Sequence, residues 1–223
     1  MSLERIEGRG WLALLGGGEF SFGQTEDADR AWLAHVDAGA VVGFVPAASG
    51  STEYGGHFAA YLTGTFDRRV ETIPIFRGRD ARREKNSKRL ADCGAVYLGG
   101  GVADNLLEAF AETPAAAALA AKLGDGGVIV AIAAAAEALG QMTPSLVRGE
   151  LVAGLGWLRG GAVAPNFEPN DERRLRELVE HPAVAWGLGI PAGSAALLGP
   201  DDKLETVGDV FLLDDPDAEL KAL

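Results

Sequence analysis

Unbroken apolar runs recur along the first two thirds of the chain: Trp11 to Leu15, Val41 to Pro46, Val70 to Phe76, Ala95 to Leu98 and Val128 to Ile132. A strand with one wet face alternates apolar and polar residues, so runs this continuous predict strands covered on both faces. Between them, Thr25 to Val36, Tyr54 to Gly64, Asp80 to Asp92, Ala103 to Glu112 and Pro114 to Leu123 carry longer amphipathic patterns and predict helices. Strand and helix in alternation give an α/β fold, a doubly wound and mostly parallel sheet flanked by helices. The small-residue turns Gly16-Gly17-Gly18, Pro46-Ala47-Ala48 and Gly99-Gly100-Gly101 each follow a strand directly. That is the edge where such sheets place their ligand sites.

The pattern changes in the last third. Asp171 to Glu180 predicts a charged helix with Leu175, Leu178 and Val179 on one side. Short strand-like pieces follow, Ala185 to Ile190, Ala195 to Leu198, Leu204 to Val207 and Val210 to Leu213, with Pro200-Asp201-Asp202-Lys203 as a turn. These predict a small antiparallel C-terminal appendage on the sheet, and residues 1–223 are expected to form a single domain.

Charge narrows the partners. Twenty basic against 32 acidic residues give a net charge of −12, a field that repels nucleic acid phosphates and anionic membranes. The exception is the basic run from Arg77 to Arg89, which reads as a solvated helix face beside a loop. A single cysteine, Cys93, excludes an internal disulfide, and no apolar run is long enough to span a membrane. A cytoplasmic protein is expected, with no cofactor and no metal. Cys93 ends a predicted helix just before a strand, which favours a packing role over a nucleophilic one.

The most informative stretch is Val128 to Gly140, in which an apolar strand runs into Ala133-Ala134-Ala135-Ala136 and then a helix. It has the build of a nucleophile elbow, where the chain reverses so sharply that its neighbours must be tiny and one reactive side chain stands exposed at the tip. Here the tip carries a methyl group. The glycine turns do not fit a phosphate loop: Gly16-Gly17-Gly18-Glu19 lacks the spacing of a dinucleotide site, and Gly99-Gly100-Gly101-Val102-Ala103 lacks the lysine and hydroxyl. Amides of the second turn suit part of an oxyanion hole facing the elbow.

With these pieces in order, the chain resembles the serine peptidase family of peptidase E (aspartyl dipeptidase) and cyanophycinase, within the class I glutamine amidotransferase-like folds. The resemblance is carried by Leu14-Leu15-Gly16-Gly17-Gly18-Glu19, Val45-Pro46-Ala47-Ala48-Ser49, Tyr97-Leu98-Gly99-Gly100, the elbow, Gly154-Leu155-Gly156-Trp157-Leu158 and Leu188 to Leu197. It implies that Ala133 stands where the family has its serine nucleophile. By the same resemblance Asn166, in Ala164-Pro165-Asn166-Phe167, stands at the histidine base, and Val102-Ala103 replace the Asn-Thr that peptidase E enzymes carry after their Gly-Gly. Glu150 is a loose match to the acidic triad member, and a helix-surface glutamate is the simpler reading.

A chain missing both nucleophile and base is expected to be a non-catalytic homologue that binds a small ligand or a partner. Expected ligand-binding residues are Gly100, Gly101, Ala134, Asn166, Ser49 and Glu19, with Ser21, Ser51, Asp104, Asn105 and Glu168 as further pocket candidates. By resemblance the ligands are short acidic peptides or amino-acid derivatives. The alternative is a working hydrolase of small acidic peptides using a displaced nucleophile, Ser49, Ser51 or Thr52. His35, His57 and His181 are expected far from the motif positions, with His57 the best placed to act as a base. A thiol enzyme would need Cys93 near the elbow. A structural role and homo-oligomerisation stay open.

Overall fold

Seven strands of the computed structural model, which describes residues 3–223, form one sheet whose C-terminal edge gathers the glycine turns. The chain runs β1 (Trp11–Leu15), α1 (Glu26–Leu33), β2 (Val42–Val45), α2 (Tyr54–Phe66), β3 (Val70–Thr72), α3 (Gly78–Ala81), α4 (Glu84–Asp92) and β4 (Ala95–Leu98). It continues through α5 (Ala103–Phe110), α6 (Pro114–Gly124), β5 (Val128–Ile132), α7 (Ala134–Ala138), β6 (Met142–Ser145), β7 (Glu150–Ala153), β8 (Gly161–Pro165) and α8 (Arg173–Val179). The last elements are β9 (Trp186–Ile190), β10 (Ala195–Leu198), β11 (Leu204–Val207), β12 (Phe211–Leu213) and β13 (Lys221–Ala222).

The sheet order is β11-β10-β1-β5-β4-β2-β3, and the pairs β1–β5, β5–β4, β4–β2 and β2–β3 are parallel. Alternate side chains build two layers. Leu12, Leu14, Val96, Leu98, Ile129 and Ala131 pack with residues of α4, α5 and α6. Ala13, Leu15, Phe44, Tyr97, Val130 and Ile132 pack with α1 and α2 through Trp32 and Phe58. Both faces of β1, β4 and β5 are therefore dry, as their unbroken apolar runs predict.

Three local differences from the sequence expectation have physical causes. The Val70 to Phe76 run is a strand only over Val70–Thr72, because Pro74 has no amide to offer a ladder. The Asp80 to Asp92 helix breaks at Arg83: buried Asn86 donates to the Asp80 carbonyl at 2.9 Å, and Asp80 accepts from Phe76 N–H at 3.3 Å. The C-terminal appendage divides, for β10 and β11 extend the main sheet antiparallel while β13-β12-β9-β8 form a second sheet in which β8 and β9 are parallel. The β6–β7 hairpin lies in a stretch with no sequence signal, since Met142–Ser145 contains a proline. Asp104 secures it, accepting from Ser145 Oγ and from Leu146 N–H. Among the described residues no helix is long and apolar enough to cross a membrane.

Candidate functional site

Strand β5 is buried along its whole length and delivers the chain to Ala133 at φ 52°, ψ −122°. A residue with a Cβ pays about 1–3 kcal/mol to sit in such a region. The turn is held from both sides: Ala133 N–H donates to the Leu15 carbonyl at 2.9 Å, and Glu137 N–H donates to the Ala133 carbonyl at 3.1 Å as α7 begins. A Cβ placed on Gly100 would stand 3.6 Å from the Cβ of Ala133, an ordinary contact, so the Gly99 to Gly101 turn lies directly beside the elbow. Gly101, at φ 150°, allows no side chain, because a Cβ there would lie 2.3 Å from the Ala48 carbonyl oxygen.

Asn166 follows β8 and is also at positive φ, 49°. Its N–H donates to the Gly16 carbonyl at 2.7 Å, and its carboxamide lies over Gly17. Ala133 and Asn166, the positions that the resemblance leads one to expect for nucleophile and base, border one cavity of about 720 Å³, and they carry a methyl and a carboxamide.

The opposite wall is aromatic. Phe20 and Tyr54 stack with ring centroids 6.0 Å apart and planes 8° from parallel. Tyr54 packs on the glycine turn, its Cε1 3.0 Å from where a Cβ on Gly99 would be. Its hydroxyl faces the Gly100 amide; burial pushes its pKa up, the Gly100 N–H opposes that, and the negative charges of Glu19 and Asp29 add to it. Behind this wall, Asp29 accepts from Thr25, Trp32 and Tyr61 at 2.7 to 2.8 Å, and burial raises its pKa despite those donors.

Of the expected site residues, Ala133, Asn166, Gly100, Gly101 and Glu19 line the cavity, as do Ser21 and Ser51. Ser49 and Ala134 do not. Ser49 Oγ donates locally to the Pro46 carbonyl at 3.1 Å, and Ala134 begins α7 half-buried behind the elbow. Asp104 is engaged by the hairpin, Asn105 donates to the Ala48 carbonyl at 3.1 Å, and Glu168 is exposed beside its bridge to Asp171. Glu150 is exposed at the start of strand β7, which corrects the helix-surface reading, and it does not border the cavity.

His57 is a second correction, because it borders the same cavity as Ala133 although its place in the sequence suggests distance. His35 stacks on Trp11 and bonds Glu205, while His181 Nδ1 accepts from Ala183 N–H at 3.2 Å. Cys93 is buried at the N-terminal end of β4. The elbow follows the C-terminal end of neighbouring parallel β5, so a strand length, roughly 15 Å, separates thiol from elbow. Gly17, Gly18, Ile132 and Ala192, all within segments that carry the resemblance, also line the cavity, as do Phe20, Gln24, Glu53 and Tyr54, which lie in no motif.

The model of peptidase family S51 matches residues 12–206 of the chain. Among solved structures, the chain is similar to a peptidase from an acI-B1 Actinobacterium, with a TM-score of 0.74 and 19% identity over 98% of this chain and 96% of that one. It is also similar to a candidate peptidase E protein from Listeria monocytogenes EGD-e, with a TM-score of 0.66 and 15% identity over 89% of this chain and 98% of the other. No curated protein matches.

Proposed function

We propose that this chain, which belongs to peptidase family S51, is a non-catalytic member that keeps the family's cleft as a binding site for a small ligand or partner in the cytoplasm. The observation that carries the reading is Ala133. An elbow holds one reactive side chain exposed at its tip, and here the strained φ of 52° persists with only a methyl group on it. Acyl transfer needs an activated nucleophile with a base in hydrogen-bond reach, roles that neither a methyl nor the Asn166 carboxamide can fill. Losing the serine of a triad costs on the order of a millionfold in turnover. An oxyanion hole with binding alone leaves roughly a thousandfold over water.

The test is prolonged incubation with a panel of Asp-X and other dipeptides and β-linked aspartyl-arginine, read by mass spectrometry beside the double variant Ala133→Ser/Asn166→His. Cleavage by the variant alone supports a kept cleft with lost chemistry. Cleavage by the natural chain overturns the reading.

One observation favours a second reading, a hydrolase with a displaced nucleophile: Ser51 and His57 border the same cavity. Ser51 Oγ already accepts from Glu53 N–H at 3.3 Å and Tyr54 N–H at 3.4 Å, which holds it at the entry to α2. Turnover by the natural chain that disappears in both Ser51→Ala and His57→Ala establishes this alternative.

A further inference from the structure

The charge on the cavity is opposite to what an acidic ligand needs. Its two carboxylates are Glu19 and Glu53, and no lysine or arginine lines it. Among the described residues neither carboxylate forms an ion pair, so both negative charges are available to whatever enters. Glu19 also acts on the interior, since its charge is one of the causes that raise the Tyr54 pKa after burial itself. Phe20 and Tyr54 both line the same cavity, and aromatic rings attract cations through their quadrupoles. At the elbow end the lining is uncharged, the apolar Ile132 and Ala133 beside the Gly100 to Gly101 backbone and the Asn166 carboxamide, which suit an amide or carbonyl.

We propose that this cavity selects ligands that carry a cationic amine or guanidinium, placed between Glu19 and Glu53 against the Phe20–Tyr54 wall, and discriminates against acidic peptides. The inference rests on the reading of the cavity as a kept binding site and adds the ligand's chemical class. Cation and anion experience two exposed carboxylates with opposite sign, and at an intermediate effective dielectric this is worth about tenfold in affinity between them. Because both carboxylates are exposed, the preference narrows as salt screens them.

Three probes with one backbone isolate the charge: the Nα-acetyl amides of lysine, glutamine and glutamic acid. Each is titrated into the full chain while the amide resonances of Gly100, Gly101 and Ala133 are followed by NMR. The expected result is tightest binding of the lysine derivative, about tenfold over the glutamate derivative at low salt, with the preference lost in Glu19→Gln/Glu53→Gln. Both positions are exposed, so this variant is expected to keep the natural chain's spectrum away from the cavity. Equal or tighter binding of the glutamate derivative, or a preference that survives the double variant, overturns the charge inference and leaves the binding cavity standing. No shift at the three amides with any probe overturns both.

Discussion

The carboxamide of Asn166 occupies the space that a side chain on Gly17 would need: a Cβ there would lie 2.1 Å from Asn166 Oδ1. Gly17 also sits at φ 140°, where residues with a Cβ are strained. Two costs therefore coincide in Gly17→Ala, backbone strain of about 1–3 kcal/mol and displacement of Asn166. The expected outcome is a loss of at least 1 kcal/mol in urea unfolding, with an unchanged m value. Gly50→Ala is the control, also at positive φ (65°) but with nothing within 4 Å of an added Cβ. Equal losses in the two variants would show that contact with Asn166 contributes nothing.

Ala133→Gly tests whether the elbow still stores strain. In an ordinary buried element Ala→Gly destabilises by roughly 0.5–1 kcal/mol, because glycine loses more backbone entropy on folding. At φ 52°, ψ −122° glycine also removes the Cβ penalty, about 1–3 kcal/mol. Ala133→Gly is therefore expected to match or exceed the natural chain in stability, whereas Ala131→Gly within β5 lowers it by about 1 kcal/mol. If both variants lose the same amount in denaturant unfolding, the elbow is not strained.

The elbow was legible in the sequence because its determinants are local. A buried strand, a run of alanines and a short helix all lie within Val128 to Ala138, and the sheet they build follows from the unbroken apolar runs. The far wall of the cavity was not legible, because it is made by packing. Tyr54 and His57 lie one turn apart on α2 and face the same cavity, a relationship invisible until α2 is docked beside β2 through Phe44 and Phe58. Ser49 does not border the cavity for the opposite reason. A short hydroxyl bonds readily to a nearby carbonyl, and here Pro46 takes it. The β6–β7 hairpin leaves no local sequence signal because its stability comes partly from Asp104, some forty residues earlier in the chain.

Cys93 is expected to be inert in the folded protein. Burial, the largest cause, and the charge of Glu71 push its thiol up to about 11, against smaller opposing effects of Lys122 and Arg89. Thiolate is the reactive form, so at pH 8 only on the order of one thiol in a thousand is ionised. A disulfide-exchange reagent should label the native protein at the rate of unfolding, and immediately in denaturant. Rapid labelling at neutral pH without unfolding would restore a reactive thiol to the candidates.

The elbow helix is tied to α8 by an ion pair between buried Glu137 and half-exposed Arg174. Burial raises the Glu137 pKa, and the Arg174 charge and hydrogen bond only partly offset that. For an acid whose folded pKa is raised, the contribution to stability is greatest below the unfolded pKa and is lost as pH rises through the folded one. Removing Arg174 takes away the offset, moves the Glu137 pKa further up and widens that loss. Arg174→Ala is therefore expected to cost about 1–3 kcal/mol at pH 7, below the usual range for a broken buried pair because water reaches the arginine side. The deficit should shrink as pH falls through the Glu137 titration, and Arg174→Ala/Glu137→Gln should recover much of it at pH 7. Unfolding curves for the three proteins from pH 4 to pH 8 decide the matter, since a deficit independent of pH and of residue 137 would mean that Arg174 acts through packing rather than through the charge beneath the elbow.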